Sequence, residues 1–132
     1  VRRHPTVFQL ESQIVGQLRQ DRDALDAVQA AFPPGSMTGA PKIEAMKVID
    51  GLEPVQRGVY SGALGYLDAA GGLDLAVVIR TFVRSGSRFT FSVGGAIVAD
   101  SDPLEEYQET LDKAQALIAA HAGASVGLTP TR

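Results

Sequence analysis

The chain has no cysteine and no tryptophan among its 132 residues. That excludes disulfides, thiolate metal sites and cysteine nucleophiles, and it fits a reducing compartment, so a cytoplasmic location is expected. The only histidines, His4 and His121, stand near opposite ends. They are too isolated for a metal site or a catalytic triad and read as surface residues. Positive charge is also scarce, because 12 Lys and Arg against 15 Asp and Glu leave a net charge of -3. A nucleic-acid footprint is therefore not expected. No run of eighteen apolar residues and no leader pattern occurs, so a soluble, unexported chain without a membrane span is expected. The first residue is Val1 rather than Met, and Val1-Arg2-Arg3-His4-Pro5 carries no start signal; the chain reads as a piece of something longer. What it does have is 45% hydrophobic residues, enough for the core of one ordinary domain.

The apolar pattern changes period along the chain. Residues 6–19 carry Leu10, Ile14, Val15 and Leu18 at helical spacing, and residues 23–32 carry Leu25, Val28 and Ala31. Two helices are expected there. A third should begin at Pro41, which suits the first helical position, and run through Ile43, Met46, Ile49 and Leu52 to a stop at Pro54. Residues 59–67, 73–83 and 88–98 read as strands, joined by Asp68-Ala69-Ala70-Gly71-Gly72 and Ser85-Gly86-Ser87 into an antiparallel meander. Asp100-Ser101-Asp102-Pro103 then offers caps for a last helix reaching about His121, and residues 123–132 read as a flexible tail. Helices, then strands, then a helix make an α+β fold, an antiparallel sheet with helices packed on it.

Between the second and third helices lies Pro33-Pro34-Gly35-Ser36-Met37-Thr38-Gly39-Ala40-Pro41-Lys42. Its glycines, hydroxyls and lysine invite comparison with a phosphate-binding loop. The comparison fails on spacing: Gly35 and Gly39 are too close, Ile43 stands where a metal-binding hydroxyl is needed, and the preceding segment reads as helix rather than strand. Two readings remain, a plain helix-entry loop or a loop whose Ser36, Thr38 and amides receive an anion.

Three other features carry the same ambiguity. On the last helix Leu104, Tyr107, Leu111, Ala114 and Ile118 form the apolar stripe, and Glu106, Glu109 and Lys113 fall on the opposite face. Two carboxylates at i and i+3 can share a divalent cation such as Mg²⁺, or can be a solvated face with a Glu109–Lys113 pair. Arg80 closes the apolar run Leu75-Ala76-Val77-Val78-Ile79 on an expected central strand, so its charge needs either a structural carboxylate or a bound one. Gly94-Gly95 inside a strand marks a bend, a bulge or a close approach of ligand to backbone. Tyr60, at the start of the first expected strand, reads as a half-buried aromatic.

Taken in order, GSMTGAPK (35–42), RGVYSGALGYL (57–67), LDLAVVIRT (73–81) and GGAIVADSDPLEEYQET (94–110) resemble the C-terminal part of the chorismate-utilising enzymes. The resemblance spans about residues 6–118, and the loop is most similar to the aminodeoxychorismate synthase component I version. It implies that residues 1–122 are the C-terminal portion of a chorismate-binding catalytic domain and part of a larger α/β sandwich. Glu106 and Glu109 match the family's metal-binding carboxylates for Mg²⁺, and Lys113 matches a lysine that contacts substrate. Arg80 and Tyr60 match residues holding a carboxylate of chorismate. Gly94, Gly95 and Ala96 match the backbone that approaches a substrate carboxylate, with Ala96 where relatives often have glycine. Ser36 and Thr38 match the hydroxyl-bearing loop.

The implied reaction combines chorismate with ammonia, released from glutamine by an amidotransferase subunit or fused domain, to give 4-amino-4-deoxychorismate for p-aminobenzoate and folate synthesis. The sister anthranilate enzyme adds nitrogen ortho and eliminates pyruvate. Gln9 stands where relatives carry a histidine, so a proton-transfer role is not expected there. The general base, a nucleophilic lysine and a further metal carboxylate are expected upstream of Val1, leaving no catalytic residue within the chain. By itself the chain is expected to be inactive and to self-associate through exposed apolar faces; the alternatives are another chorismate-utilising enzyme or a non-catalytic binding module.

Overall fold

The computed structural model describes residues 1–4 and 8–124. Asp23 opens α1 (Ala24–Ala31) with a capping box: its carboxylate accepts from the N–H groups of Leu25 (2.8 Å) and Asp26 (3.0 Å), and Asp26 accepts in return from the Asp23 N–H (3.0 Å). The proline-glycine loop that follows is not wholly irregular, because Gly35–Thr38 forms one helical turn, α2. Pro41 then caps α3 (Lys42–Leu52), which ends just before Glu53-Pro54 as the proline dictates. Asp102 caps α4 (Pro103–Ala124), accepting from the Leu104 and Glu105 N–H groups at 2.9 and 3.1 Å. α4 reaches slightly beyond the expected His121. Of the expected tail, residues 125–132 lie outside the described residues.

Among the described residues, strands pair only with their sequence neighbours. β1 (Arg2–Arg3) pairs with β2 (Phe8–Gln9), and β5 (Val83–Ser85) pairs with β6 (Arg88–Thr90) across Gly86. β3 (Ala63–Leu67) and β4 (Leu73–Val77) form the longest ladder, from Ala63↔Val77 to Leu67↔Leu73. The Asp68 side chain closes their turn by accepting from the Ala70 and Gly72 N–H groups, both at 2.8 Å. Helices with short antiparallel pairs give the expected α+β class.

Two expectations need correction. Residues 10–19 are not helical, and the segment begins as strand at Phe8–Gln9; Thr6 and Val7 lie outside the described residues. Leu10, Ile14 and Val15 are 82%, 94% and 82% exposed, so most of the stripe packs on nothing among the described residues, and packing supplies most helix stability. The single meander is also absent. β4 stops at Val77, and a tight turn (Ile79 N–H to Val77 O, 3.0 Å) followed by Arg80 at φ 51° separates the two hairpins. Arg80 is consequently exposed rather than the buried end of a central strand. The third strand ends at Thr90, leaving Gly94-Gly95 in irregular chain.

Burial is sparse. Among the described residues only Ala114, Leu117 and Ser61 fall below 9% exposure. The strand faces are uncovered, with Leu64 at 72% and Tyr66 at 63%. A folded protein of 13.9 kDa is expected to expose about 6,700 Å². This chain exposes 11569 Å². Secondary structure is in place, but the apolar faces are presented rather than enclosed.

His121 is not isolated, although it is exposed. Its ring lies 6.0 Å from Phe82 and 5.7 Å from Phe89, and Phe82 meets Phe91 edge-on at 5.3 Å. This aromatic group ties the end of α4 to the second hairpin.

Candidate functional site

The acidic face of α4 is half exposed, and the chain entering the helix and the Gly94-Gly95 segment both reach it. The Ser101 hydroxyl sits 2.5 Å from Glu106 Oε1 while accepting from the Val98 N–H at 3.0 Å, so Glu106 is tied to the chain entering the helix. Glu109 pairs with Lys113 at 3.1 Å, and Lys113 Nζ also donates to the Gly94 carbonyl at 3.3 Å. Gly95 fills the remaining side. A methyl built on its Cα would lie 3.1 Å from Glu106 Oε2 and 3.2 Å from Glu109 Oε2. Both carboxylates therefore converge on one backbone position, and their oxygens are no farther apart than the sum of those distances. Ala96, Glu105, Glu106, Glu109 and Lys113 line a cavity of about 330 Å³ there. Glu105 was not singled out from the sequence, where it is simply the neighbour of Glu106.

No group of three or more His, Asp or Glu side chains is placed to hold a metal among the described residues. Two carboxylates nevertheless fit a hard divalent cation that keeps several water or substrate oxygens, which is the habit of Mg²⁺. The protein side of such a site is Glu106 and Glu109, with Glu105 on the same wall.

A second cavity, of about 410 Å³, adjoins the first through Ala96 and Lys113. It gathers Ser36, Tyr60, Arg80, Gly94, Gly95, Ala96 and Lys113 from five separate stretches of sequence. Tyr60 and Gly94 meet closely, for a methyl on Gly94 would lie 3.0 Å from the Tyr60 hydroxyl. Arg80 stands on the wall with no ion-pair partner among the described residues. Thr38 is the one expected residue not brought in. Its hydroxyl donates to Pro34 O at 3.2 Å within α2, and it lines a neighbouring cavity of about 590 Å³ instead.

Sequence reasoning missed Arg57, which lines both of these larger cavities together with Glu53 and Tyr60. Its Nε lies 3.1 and 2.8 Å from the two Glu53 carboxylate oxygens, and its Nη2 lies 2.5 Å from Oε1. Nη1 donates to Met37 O (2.9 Å) and to Ser61 Oγ (3.1 Å), and the guanidinium carbon stands 6.0 Å from the Tyr60 ring centre. The hydrogen bonds from Arg57 hold the Glu53 carboxyl below its ordinary pKa, against the opposing effect of burial. Glu53 in turn raises that of Arg57. Ser61 is buried and held at φ 67°, a left-handed conformation that a serine adopts at a cost. The available signal was the Glu53–Arg57 spacing of four across Pro54, which reads as an ordinary surface pair.

The two cavities thus combine a convergent carboxylate pair with Lys113, Arg80, a tyrosine hydroxyl and exposed backbone at Gly94-Gly95-Ala96. Cationic forks and backbone dipoles on one side and an acidic pair on the other suit a small anion carrying carboxylates, with a divalent cation between.

Comparison with known proteins agrees with that chemistry. The family model described as chorismate binding enzyme matches residues 1–119. An aminodeoxychorismate synthase of Streptomyces griseus is 53% identical over 118 residues, which is 89% of this chain and 16% of the relative. Anthranilate synthase component 1 of Streptomyces coelicolor is 49% identical over 120 residues, 91% of this chain and 24% of the relative. The crystal structure of anthranilate synthase component I from Streptococcus pneumoniae superposes with a TM-score of 0.71 at 48% identity, covering 77% of this chain and 23% of that one. The chain spans about a sixth to a quarter of the length of these curated relatives. It belongs to the family of chorismate-binding enzymes.

Proposed function

We propose that this chain forms one wall of the chorismate site in an enzyme that converts chorismate and ammonia to 4-amino-4-deoxychorismate. The observation that carries the reading is the single cavity in which Ser36, Tyr60, Arg80, Gly94, Gly95, Ala96 and Lys113 meet beside the Glu106/Glu109 pair. The aminodeoxychorismate branch is favoured by the 53% identity to synthases of that name from two Streptomyces species. The anthranilate reading is the alternative, supported by relatives at 49% and 47% identity and by the solved structure.

Chorismate is a dianion, and each end has a place. The planar fork of Arg80 takes one carboxylate with two parallel N–H donors, beside the Tyr60 hydroxyl. The Gly94–Ala96 backbone lets the other carboxylate approach as closely as amides permit, because glycine places no side chain in the way. Lys113 stands between the two cavities and adds a point charge over the same carboxylate. Holding both ends fixes the ring before reaction, which is where positioned binding lowers a barrier. Bound between Glu106 and Glu109, Mg²⁺ would act as a Lewis acid for the ring carboxylate and for the charge on the departing ring hydroxyl. Ser101 holds Glu106 and Lys113 holds Glu109, with Gly95 leaving room for both carboxylates. The ammonia comes from a glutamine amidotransferase partner or domain, and the proton-transferring groups belong to the remainder of the enzyme.

The test is product identity. Full-length protein supplied with chorismate, ammonium and Mg²⁺ is expected to form 4-amino-4-deoxychorismate, detected by mass spectrometry and by conversion to p-aminobenzoate with an added lyase. Fluorescent anthranilate as the product would move the protein to the sister activity. No chorismate consumption at all would reject both.

A further inference from the structure

We infer that Arg57 is a positioning residue for the chorismate pocket, one that braces two of its walls together and leaves substrate contact to Arg80. The inference rests on the proposed substrate for its functional consequence and on geometry alone for the brace. A guanidinium has five N–H donors in a fixed plane. In Arg57 the single Nε donor is spent on the Glu53 carboxylate and one Nη2 donor on Glu53 Oε1, while the two Nη1 donors go to Met37 O and Ser61 Oγ. Four of the five therefore bind protein, so the group is poorly placed to be a substrate fork. What it does is join pieces distant in sequence. Met37 lies between the two hydroxyl residues of the Ser36–Thr38 loop, 20 positions before Arg57. Ser61 directly follows Tyr60 and donates its own N–H to Val78 O at 3.0 Å, two residues before Arg80. One side chain thus couples the α2 turn, the Tyr60–Ser61 turn and the start of the Arg80 segment.

The brace also accounts for the strained backbone. Ser61 at φ 67° and Arg80 at φ 51° are the described non-glycine residues in left-handed conformation, and both lie within this coupled unit. Such conformations persist where surrounding contacts over-determine them. Glu53 fixes the plane of the guanidinium from the end of α3, so Nη1 faces the loop and the serine together. Lysine keeps the charge but offers a single compact ammonium, which does not reproduce four bonds in one plane.

The experiment uses the full-length protein with Arg57→Lys and, as a milder change that retains the arginine, Ser61→Ala. Hydrogen exchange of residues 35–39 and 60–62 is followed alongside the chorismate KM and kcat. Both variants are expected to exchange faster in those two segments, with α4 unchanged. Arg57→Lys is expected to raise the chorismate KM by about tenfold, as for loss of a hydrogen bond to a charged group, with kcat much less affected. Unchanged exchange in the two segments would overturn the brace, whatever the substrate. Faster exchange with an unchanged KM would overturn its role in the pocket. Should the wild-type protein leave chorismate untouched, the proposed function fails, and the exchange arm alone decides the brace. If Arg57→Lys does not fold, Ser61→Ala carries both readouts.

Discussion

Replacing Gly95 by alanine adds one methyl where the structure has least room for it. The added carbon would lie 3.1 Å from Glu106 Oε2, 3.2 Å from Glu109 Oε2 and 3.8 Å from Thr110 Oγ1. The first two distances are tighter than ordinary contacts, so each carboxylate must retreat by a few tenths of an ångström. Neither is unrestrained. Glu106 is held by Ser101 and Glu109 by Lys113, which is itself anchored on the Gly94 carbonyl. Gly95 is not among the glycines at positive φ, so alanine costs no backbone strain there. The damage should fall on the proposed cation site and the proposed substrate approach, not on folding. In the full-length enzyme the apparent Mg²⁺ affinity is expected to fall about 10- to 100-fold, the range seen when the outer supports of a metal site are disturbed. The unfolding midpoint should stay within about 2 °C of wild type. Mg²⁺ titration of chorismate consumption, paired with a thermal melt, reads both quantities. An alanine variant with wild-type Mg²⁺ dependence would refute the convergence of the carboxylates on Gly95.

Acid should weaken the Glu53–Arg57 brace. Because the folded Glu53 carboxyl sits below its ordinary value, its contribution to stability is fully present above the unfolded value of about 4.3 and is lost as pH falls through the folded one. Urea unfolding at pH 7 and pH 3.5 should therefore show a smaller loss on acidification in Arg57→Gln than in wild type, and equal losses would contradict the pairing. The uncovered apolar surface makes a separate prediction: the 132-residue chain alone should self-associate. Its exposed area exceeds the compact expectation by far more than the roughly 1,600 Å² buried in a standard interface. A clean monomer by light scattering at micromolar concentration would count against that.

Legibility in the sequence followed local chemistry. Asp23, Pro41 and Asp102 act within one helical turn, so the starts of α1, α3 and α4 were readable from cap residues alone. The turns at Asp68–Gly72 and Gly86 were readable for the same reason. The first helix was not, because a period-3.6 stripe states which face wants burial and is silent on what buries it. Leu10, Ile14 and Val15 find no partner surface among the described residues, and only Leu18 comes near α1. The extent of the strands also escaped, since β4 ends through the left-handed Arg80 and not through a proline or glycine. Within the site, Glu106, Glu109 and Lys113 were visible as spacing but undecided between ligand and solvated face; the Ser101 contact to Glu106 and the approach of Gly95 to both carboxylates were not visible at all. Arg57 was invisible because its partners at Met37 and Ser61 lie across a fold that no local pattern encodes.

The central claim is that these residues form a chorismate pocket with Arg80 on the substrate carboxylate. Its most direct test is the chorismate KM of the full-length enzyme carrying Arg80→Lys. Lysine keeps the charge and loses the planar fork, so KM is expected to rise by about tenfold or more, while the exposed position leaves the unfolding midpoint unchanged. A KM equal to wild type would contradict the placement of Arg80 and, with it, the assignment of this cavity to chorismate.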